Sequence, residues 1–340
     1  MKICIVGSSG KYAIERHYIS GLKSQNIDCV LIGVQQHFLE YYHKSIFNKI
    51  QYRLGLSGIL KRGNKIVSEQ IRKFEPDVIW VFKGMEILPK TLKQWRKAGY
   101  TLVCYNPDHP FVFSGLGSGN SNVTESINIY NHHFTYSPEI RERLHQNGQK
   151  SVSMLPFGFD SLAIQNRKEI KGRKHDRLCF IGNADRFRKE KVLKLCAAGV
   201  KIDVYGIGWD TSHELLKIEG PVYDDDYWTT AAKYLIHLNV FRPHNIRSHN
   251  MRTFEIPAIG SVLISPYTKQ QTEFFESEKE MFFYESDDDL VQTCKKVLQL
   301  DSKALIEVGN SARQKSLSAD YSYLSLSKKV ITLLKSKFNL

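Results

Sequence analysis

The sequence alternates short apolar runs with longer segments in which apolar residues recur at helical spacing. The apolar runs predict strands at 3–6, 28–33, 76–82, 101–105, 128–136, 151–155, 178–181, 201–205, 234–240 and 261–265. Helical spacing covers most of 11–22, 36–74, 89–97, 187–198, 225–233, 287–299, 302–315 and 324–338. Strands that alternate with helices predict right-handed βαβ units on parallel sheets.

The alternation restarts near the middle of the chain, after a polar stretch. We therefore predict an N-terminal Rossmann-like domain over 1–160, a linker over 161–176 and a second Rossmann-like domain over 177–320. A final helix over 321–340 is expected to pack back on the first domain. The predicted fold class is α/β, with two doubly wound domains that face a cleft.

The composition is typical of a globular protein and excludes several other classes of protein. The 340 residues are 42% hydrophobic and 24% charged, which excludes disorder for most of the chain. No apolar run approaches the roughly 18 residues that span a bilayer. The first run is typical of a strand and not of a signal peptide. The six cysteines have no metal-binding spacing, so we expect reduced thiols in a cytosolic protein.

Positive charge is concentrated in the first half of the chain. The net charge is +13, and residues 40–73 contain eight Lys and Arg against two Glu, with aromatic and aliphatic residues between them. Such a stretch can be a solvated helical face, can lie on an anionic membrane or can bind nucleic acid. The sequence leaves these three interpretations open.

Ligands of open α/β sheets bind beyond the carboxyl ends of the strands. In the first half, Gly7–Lys11 fits neither the dinucleotide pattern nor the phosphate loop and is typical of a tight turn. His17 follows on the next helix. Asp108 and His109 lie between two prolines directly after a strand, and a stiff loop of this kind suits acid–base work or an Asx turn.

Two segments of the second half predict an anion site. Gly182 ends a strand and precedes a basic helix start that contains Arg188. The segment 241–260 crowds arginines and histidines before a short helix that we expect to begin near Thr253 and to end at Gly260. Glu255, one turn into that helix, can accept hydrogen bonds from hydroxyl groups such as those of a ribose. The runs Asp224–Asp226 and Asp287–Asp289 are predicted helix starts and not metal sites.

These segments together resemble the CgeB-like (spore maturation protein) glycosyltransferases of the GT-B fold. The resemblance rests on FIGNADRFRKEK at 180–191, VYGIGW at 204–209, GPVYDDDYW at 220–228, LIHLNVFRP at 235–243, NMRTFEIPAIGSVLIS at 250–265 and the run at 274–298. Looser matches are NPDHP at 106–110 and LPFGFD at 155–160.

The resemblance implies a nucleotide-sugar donor in the second domain and an acceptor in the first. The residues that it places at the donor diphosphate are Gly182, Arg188, Asn250, Arg252 and Thr253. Glu255 matches a ribose-binding carboxylate. The wider glycogen-synthase-like group has a second glutamate eight residues earlier, at the donor sugar, where this chain has Arg247. His249 falls in the same vicinity.

The resemblance and the residues lead to one expected function and two rivals. We expect a glycosyltransferase of the hexosyltransferase kind that needs neither a metal nor a cofactor. It moves a sugar from a nucleotide donor, most simply a UDP-linked one, to a glycan, lipid-linked or protein acceptor. Asp108 is the first candidate for the base of an inverting reaction, followed by His17 and His109. The rivals are a sugar-nucleotide epimerase and a non-catalytic nucleotide-binding protein. We expect a cytoplasmic protein with no nucleic-acid partner, and peripheral contact with the inner face of the membrane through 40–73 stays one of the open interpretations of that stretch.

Overall fold

The computed structural model describes residues 1–54, 57–113, 119–165, 172–242 and 247–340 and consists of two compact units. Unit 1 contains Met1–Pro156 and Tyr323–Leu340, and unit 2 contains Phe157–Ser322. Each unit has a parallel six-stranded sheet with helices around it, which confirms the predicted α/β class. Within the predicted linker, Ser161–Gln165 is helical, while 166–171 lie outside the described residues.

Unit 1 is built on the strand order β2-β1-β3-β4-β5-β6. Its strands are β1 Lys2–Gly7, β2 Asp28–Gly33, β3 Val78–Phe82, β4 Thr101–Tyr105, β5 His132–Thr135 and β6 Val152–Met154. Its helices are α1 Ile14–Lys23, α2 Val34–Lys44, α3 Ile46–Arg53, α4 Ile59–Phe74, α5 Pro89–Lys97, α6 Ser121–Ser126 and α7 Pro138–Gln146, completed by α15 Tyr323–Phe338.

Unit 2 has the order β9-β8-β7-β10-β11-β12. Its strands are β7 Leu178–Ile181, β8 Ile202–Tyr205, β9 Leu216–Glu219, β10 Ile236–Leu238, β11 Val262–Pro266 and β12 Phe282–Tyr284. Its helices are α8 Ser161–Gln165, α9 Arg186–Ala197, α10 Asp224–Ala232, α11 Arg252–Ala258, α12 Lys269–Phe274, α13 Asp287–Leu298 and α14 Ser302–Ser318.

The central strands are apolar because helices cover both faces of each sheet. All five residues of β3 and all four of β7 are buried. Parallel strands that are buried on both sides need continuous hydrophobic runs, since alternation would bury polar side chains. This is why the central strands were predicted closely from the sequence, and β4 and β7 have the predicted bounds.

The C-terminal helix α15 packs against α1 in unit 1. A Cβ atom on Gly21 of α1 would lie 2.2 Å from Ser327 Oγ of α15, so only glycine allows this approach. Val330 and Leu334 of α15 are buried in the same apolar cluster as Ile3 and Ile5 of β1. The last residues of the chain therefore complete the core that its first strand begins.

Two strands, β9 and β12, were not predicted. They lie at the two opposite edges of the unit 2 sheet. Two of the four β9 residues are exposed, so that strand lacks a continuous apolar run, whereas β12 is apolar but only three residues long. The short helix α11 begins at Arg252, one residue before the predicted start. Pro257 lies in its second turn, one residue before the last helical residue Ala258, where little helix remains for the proline to disrupt.

None of the described helices is both long and apolar enough to cross a membrane. All six cysteines are free, and five of them are buried. The two aspartate runs form the first turns of α10 and α13, as predicted. In α13, Asp288 also pairs with Lys194 of α9 at 2.7 Å, so this run joins two helices of unit 2.

Candidate functional site

The strand order of unit 2 reverses direction between β7 and β10. At such a switch point the connections leave toward opposite sides, and a crevice opens beyond the strand ends. Gly182 follows β7, and its N–H donates to the Tyr205 carbonyl at 2.8 Å. A Cβ atom on Gly206, which follows β8, would lie 2.3 Å from the Gly182 carbonyl oxygen. The floor of this crevice is therefore two backbone segments in close contact.

Arg188 lies in the first turn of α9 and reaches across the switch point. Its guanidinium donates to the Val240 carbonyl after β10 at 3.1 Å and to the Asn183 carbonyl after β7 at 2.8 Å. It also lies over the ring of Phe180, 5.4 Å from the centroid. Burial and the neighbouring Arg242 lower the pKa of Arg188 to about 10, and Arg252 acts in the same direction. A pKa lowered by other arginines indicates concentrated positive charge.

Arg252 begins α11 and forms an ion pair with Glu255 on the same helix. The guanidinium lies over the ring of Tyr227, 4.4 Å from the centroid, and its Nε is 3.4 Å from the Ile181 carbonyl at the end of β7. The Tyr227 hydroxyl donates to Glu255 Oε2 at 2.7 Å. Although burial disfavours its charge, Tyr227 and Glu255 hold the pKa of Arg252 above its usual range.

Three arginines and two carboxylates thus meet at the switch point of unit 2. Asp185 caps α9 by accepting from the Arg188 N–H at 3.0 Å, and its carboxylate lies 3.8 Å from both Arg188 and Arg242. Glu255 pairs with Arg252. The balance leaves one positive charge uncompensated among these five groups, which favours an anionic ligand.

Asn250 and Thr253 lie beside this cluster with their side chains already bonded. Asn250 and Asn239 exchange amide hydrogen bonds of 2.8 and 3.1 Å. Thr253 is fully buried, and its hydroxyl donates to Gln271 Oε1 at 2.8 Å. These bonds tie the start of α11 to Asn239 and to Gln271 of α12, so the two side chains support the backbone around them more directly than they support a ligand.

The two residues predicted near the donor sugar have opposite environments. His249 is fully buried; its Nε2 accepts from the Phe157 N–H at 3.2 Å, and its Nδ1 lies 3.0 Å from Gln270 Oε1. Burial lowers the pKa of His249 to about 4, so the ring is neutral near pH 7. Arg247 is exposed in a turn. The neighbouring residues 243–246 of the predicted anion segment lie outside the described residues.

In unit 1 the sheet changes direction between β1 and β3, and charged side chains collect there. Asp108, after β4, forms an ion pair with Lys83, after β3, at 2.5 Å. Both side chains are 29% exposed, so the pair is open to a ligand. His109 is buried, and its Nδ1 accepts from the Phe111 N–H at 3.1 Å. Of the two adjacent candidates, Asp108 is the accessible one.

Two buried glutamates near this pair were missed by the sequence analysis. Glu15 accepts from the Ser8 N–H at 2.8 Å, and burial raises its pKa against the opposing effect of Lys83. Burial also raises the pKa of Glu86, on which Lys83 acts in the same opposing way. The only signal in the sequence was their position after strands, because neither lies in a recognisable motif.

His17, the remaining candidate, lies on α1 against the C-terminal helix. Its ring stacks on Tyr323, with centroids 4.8 Å apart and planes 5° from parallel. The histidine therefore takes part in the packing of α1 on α15. Among the described residues, no group of three or more His, Cys, Asp and Glu side chains is arranged to hold a metal ion.

Comparison with known proteins agrees with this arrangement of the second unit. Residues 188–330 match a family model described as glycosyl transferase-like. No curated protein matches the sequence. The matched segment includes Arg188, Arg252 and Glu255.

Solved structures with the same fold align with nearly the whole chain. Anabaena Alr3699/HepE in complex with UDP-glucose is 14% identical with a TM-score of 0.68, and the alignment covers 99% of this chain and 100% of that one. Sucrose-phosphate synthase from Thermosynechococcus elongatus is 12% identical with a TM-score of 0.71 over 100% and 99%. A protein from Listeria monocytogenes described as a UDP-N-acetylglucosamine 2-epimerase is 10% identical, with a TM-score of 0.62 over 99% and 96%. At these identities the likeness shows the fold, which is GT-B.

Proposed function

We propose that this protein transfers a sugar from a UDP-linked donor to a glycan, lipid-linked or protein acceptor. The donor binds at the switch point of unit 2, and the acceptor binds at that of unit 1. Within the GT-B glycosyltransferases, the sequence resemblance favours the CgeB-like subfamily and a hexosyl donor.

The observation that carries this proposal is the arginine cluster beside Glu255. Arg188 and Arg252 are fixed at the ends of β7 and β10, and together with Arg242 their charge exceeds that of the two nearby carboxylates. When the bond between sugar and diphosphate breaks, negative charge develops on the leaving UDP. Fixed guanidinium groups stabilise that charge and need no reorganisation during the reaction. This is our reason for proposing a reaction without metal.

Glu255 supports a nucleotide in preference to a simple phosphate. Tyr227 and Arg252 hold its Oε2 atom, and Oε1 has no hydrogen-bond partner in the described part of the chain. A carboxylate oxygen held in this way accepts hydrogen bonds from hydroxyl groups, and a ribose supplies two of them. Alr3699/HepE, which shares the fold, has been solved in complex with UDP-glucose and with UDP.

Asp108 is the proposed base of unit 1. Its ion pair with Lys83 fixes the carboxylate after β4, and its partial exposure allows an acceptor hydroxyl to reach it. In an inverting reaction it takes the proton of that hydroxyl as the new glycosidic bond forms. Arg247, at the position of the second glutamate of the wider group, favours this inverting course.

A UDP-sugar epimerase is the second candidate, because two solved structures described as UDP-N-acetylglucosamine 2-epimerases share the fold at TM-scores of 0.62 and 0.56. An epimerase turns over its donor without any acceptor, whereas a transferase needs one. A nucleotide-binding protein without catalysis is the third.

The first test is thermal unfolding of the full chain with UDP, GDP, TDP, CMP and ADP, each with and without Mn²⁺. A ligand at 100 times its Kd stabilises by about 2.7 kcal/mol, which such a measurement resolves. We expect a shift with UDP that Mn²⁺ does not change. Proton NMR of UDP-glucose and UDP-N-acetylglucosamine, each incubated with the protein alone, then identifies an epimerase by the appearance of a new sugar. The absence of any nucleotide shift would contradict the proposal.

A further inference from the structure

The helix α3 presents an apolar surface to solvent. Its exposed side chains are Ile46, Phe47, Ile50 and, directly after the helix, Leu54, with exposed fractions of 78%, 62%, 49% and 66%. Residues three and four apart are neighbours on a helix, so these four form one continuous face. We call this face, Ile46, Phe47, Ile50 and Leu54, the α3 surface.

The opposite side of α3 holds the helix against α2. Asn48 donates from its side chain to the Tyr41 carbonyl at 2.8 Å, and the Tyr41 hydroxyl donates to Gln51 at 3.1 Å. Tyr52 packs edge-on against Phe38, with ring centroids 4.8 Å apart. A surface helix normally buries its aliphatic residues and exposes its polar ones. In α3 the polar and aromatic side faces inward, so the aliphatic side is left outward.

Positive charge accompanies the α3 surface along the chain. Lys44 is exposed two residues before Ile46, and Lys49 lies on α3 next to Ile50. Lys61 and Arg62 are exposed in the first turn of α4. Across 40–73, eight basic residues oppose two acidic ones, so this tenth of the sequence holds +6 of the net charge of +13.

We infer that the α3 surface docks the protein on an anionic lipid membrane. Aliphatic side chains bordered by lysines match the boundary between acyl chains and charged headgroups, where interfacial helices lie. Nucleic acid is a poorer match, because Phe47 is the one ring of the α3 surface that could stack on a base, and the other three side chains are aliphatic and offer neither charge nor a ring. The inference does not depend on the proposed transferase activity.

The test is co-sedimentation of the full chain with vesicles of phosphatidylcholine alone or mixed equally with phosphatidylglycerol. We expect binding to the mixed vesicles that weakens at high salt. The double variant Ile46→Ser, Phe47→Ser is expected to reduce that binding roughly tenfold or more, since it removes two large apolar groups from the contact. The variant Lys44→Gln, Lys49→Gln reduces binding to the mixed vesicles, and the salt dependence becomes weaker.

Matched controls use exposed residues elsewhere in the chain. Ile306→Ser, Leu317→Ser removes two apolar side chains that are 45% and 52% exposed on α14, and Lys328→Gln, Lys329→Gln removes two exposed charges on α15. Both controls should bind vesicles as the parent does. Equal thermal midpoints and an unchanged UDP response show that each variant is folded.

Two results would overturn the inference. One is vesicle binding that is absent or insensitive to the changes on α3. The other is binding of a labelled single-stranded oligonucleotide without binding of vesicles, which would identify the basic stretch as a nucleic-acid surface.

Discussion

Arg252 and Glu255 form an ion pair across one turn of α11, and the ring of Tyr227 lies beneath the guanidinium while its hydroxyl bonds the carboxylate. The three side chains thus hold one another in a single arrangement. Such mutual bonding fixes a binding site before the ligand arrives, which lowers the entropy cost of binding.

Replacing Glu255 by glutamine tests the ribose contact. The side chain keeps its shape but loses the charge that strengthens its hydrogen bonds, and such bonds are worth about 1.5–3 kcal/mol. We therefore expect Glu255→Gln to weaken UDP binding about tenfold or more in calorimetric titration. The matched control is Glu190→Gln on α9, an exposed glutamate paired with Arg186, which should bind UDP as the parent does. Equal affinity of both variants would contradict the role of Glu255.

Two arginines in the first turn of α9 give a sharp test of the diphosphate contact. Arg188 faces the switch point, whereas the side chain of Arg186 is 93% exposed and pairs with the exposed Glu190. We expect Arg188→Met to remove most of the UDP-dependent rise in thermal midpoint, because the group opposite the diphosphate is lost. Arg186→Met should retain the full rise. An equal UDP-dependent rise in the thermal midpoint of both variants would contradict the proposed diphosphate contact.

Asp108→Asn separates catalysis from donor binding. Loss of a general base typically costs about 10²–10⁴-fold in rate, so turnover should fall by that factor. UDP affinity should not change, because the donor residues belong to unit 2. Asp28→Asn, at the exposed start of β2, is the control for a lost carboxylate in unit 1. Full turnover in Asp108→Asn would mean that another residue is the base, and Glu15 is the first to test.

The contact between Gly206 and Gly182 predicts a loss of stability in Gly206→Ala. The new methyl group would lie 2.3 Å from the Gly182 carbonyl oxygen, and the backbone must shift. Overpacking of this kind costs about 1–3 kcal/mol. Gly220→Ala adds the same methyl group where nothing lies within 4 Å, so its midpoint in urea should match the parent. Equal urea midpoints for the two variants would show that the loop after β7 shifts at little cost in stability.

The buried His249 predicts a loss of stability in acid. Its pKa is about 4 in the folded protein and near 6.5 when the chain is unfolded. The unfolded state therefore binds one more proton between these values, and the free energy of unfolding falls as pH decreases from 6.5 to 4. The slope for one proton is about 1.4 kcal/mol per pH unit.

Urea unfolding at several pH values measures this effect. The free energy of unfolding of His249→Gln should change less steeply with pH over that interval, by the contribution of one proton. His175→Gln, at an exposed position, should keep the slope of the parent. An unchanged slope in His249→Gln would mean that the ring is protonated in the folded state. Burial lowers the pKa of His133 to about 4 as well, so part of the acid sensitivity should remain.

The candidate site was predicted in part from the sequence. Gly182, Arg188, Arg252 and Glu255 lie at the switch point of unit 2, in segments that the sequence singled out. Their recognition depended on short local patterns, namely a strand followed by glycine and a helix start that follows a basic loop. Lys83, Glu15 and Tyr227 carry no such pattern, since each acquires its role from a partner that is distant in the sequence.

What the sequence determined by itself was the βα alternation, the division into two α/β halves and the residues that follow each strand. These are consequences of local periodicity, because a buried parallel strand needs an unbroken apolar run and a helix needs a spaced one. Only the tertiary structure decided which strand ends are neighbours. That order brings Arg188 to Val240, encloses His249 and turns the aliphatic side of α3 outward. Hydrogen bonds and burial depend on neighbours in space, and a local pattern of apolar and polar residues does not specify them.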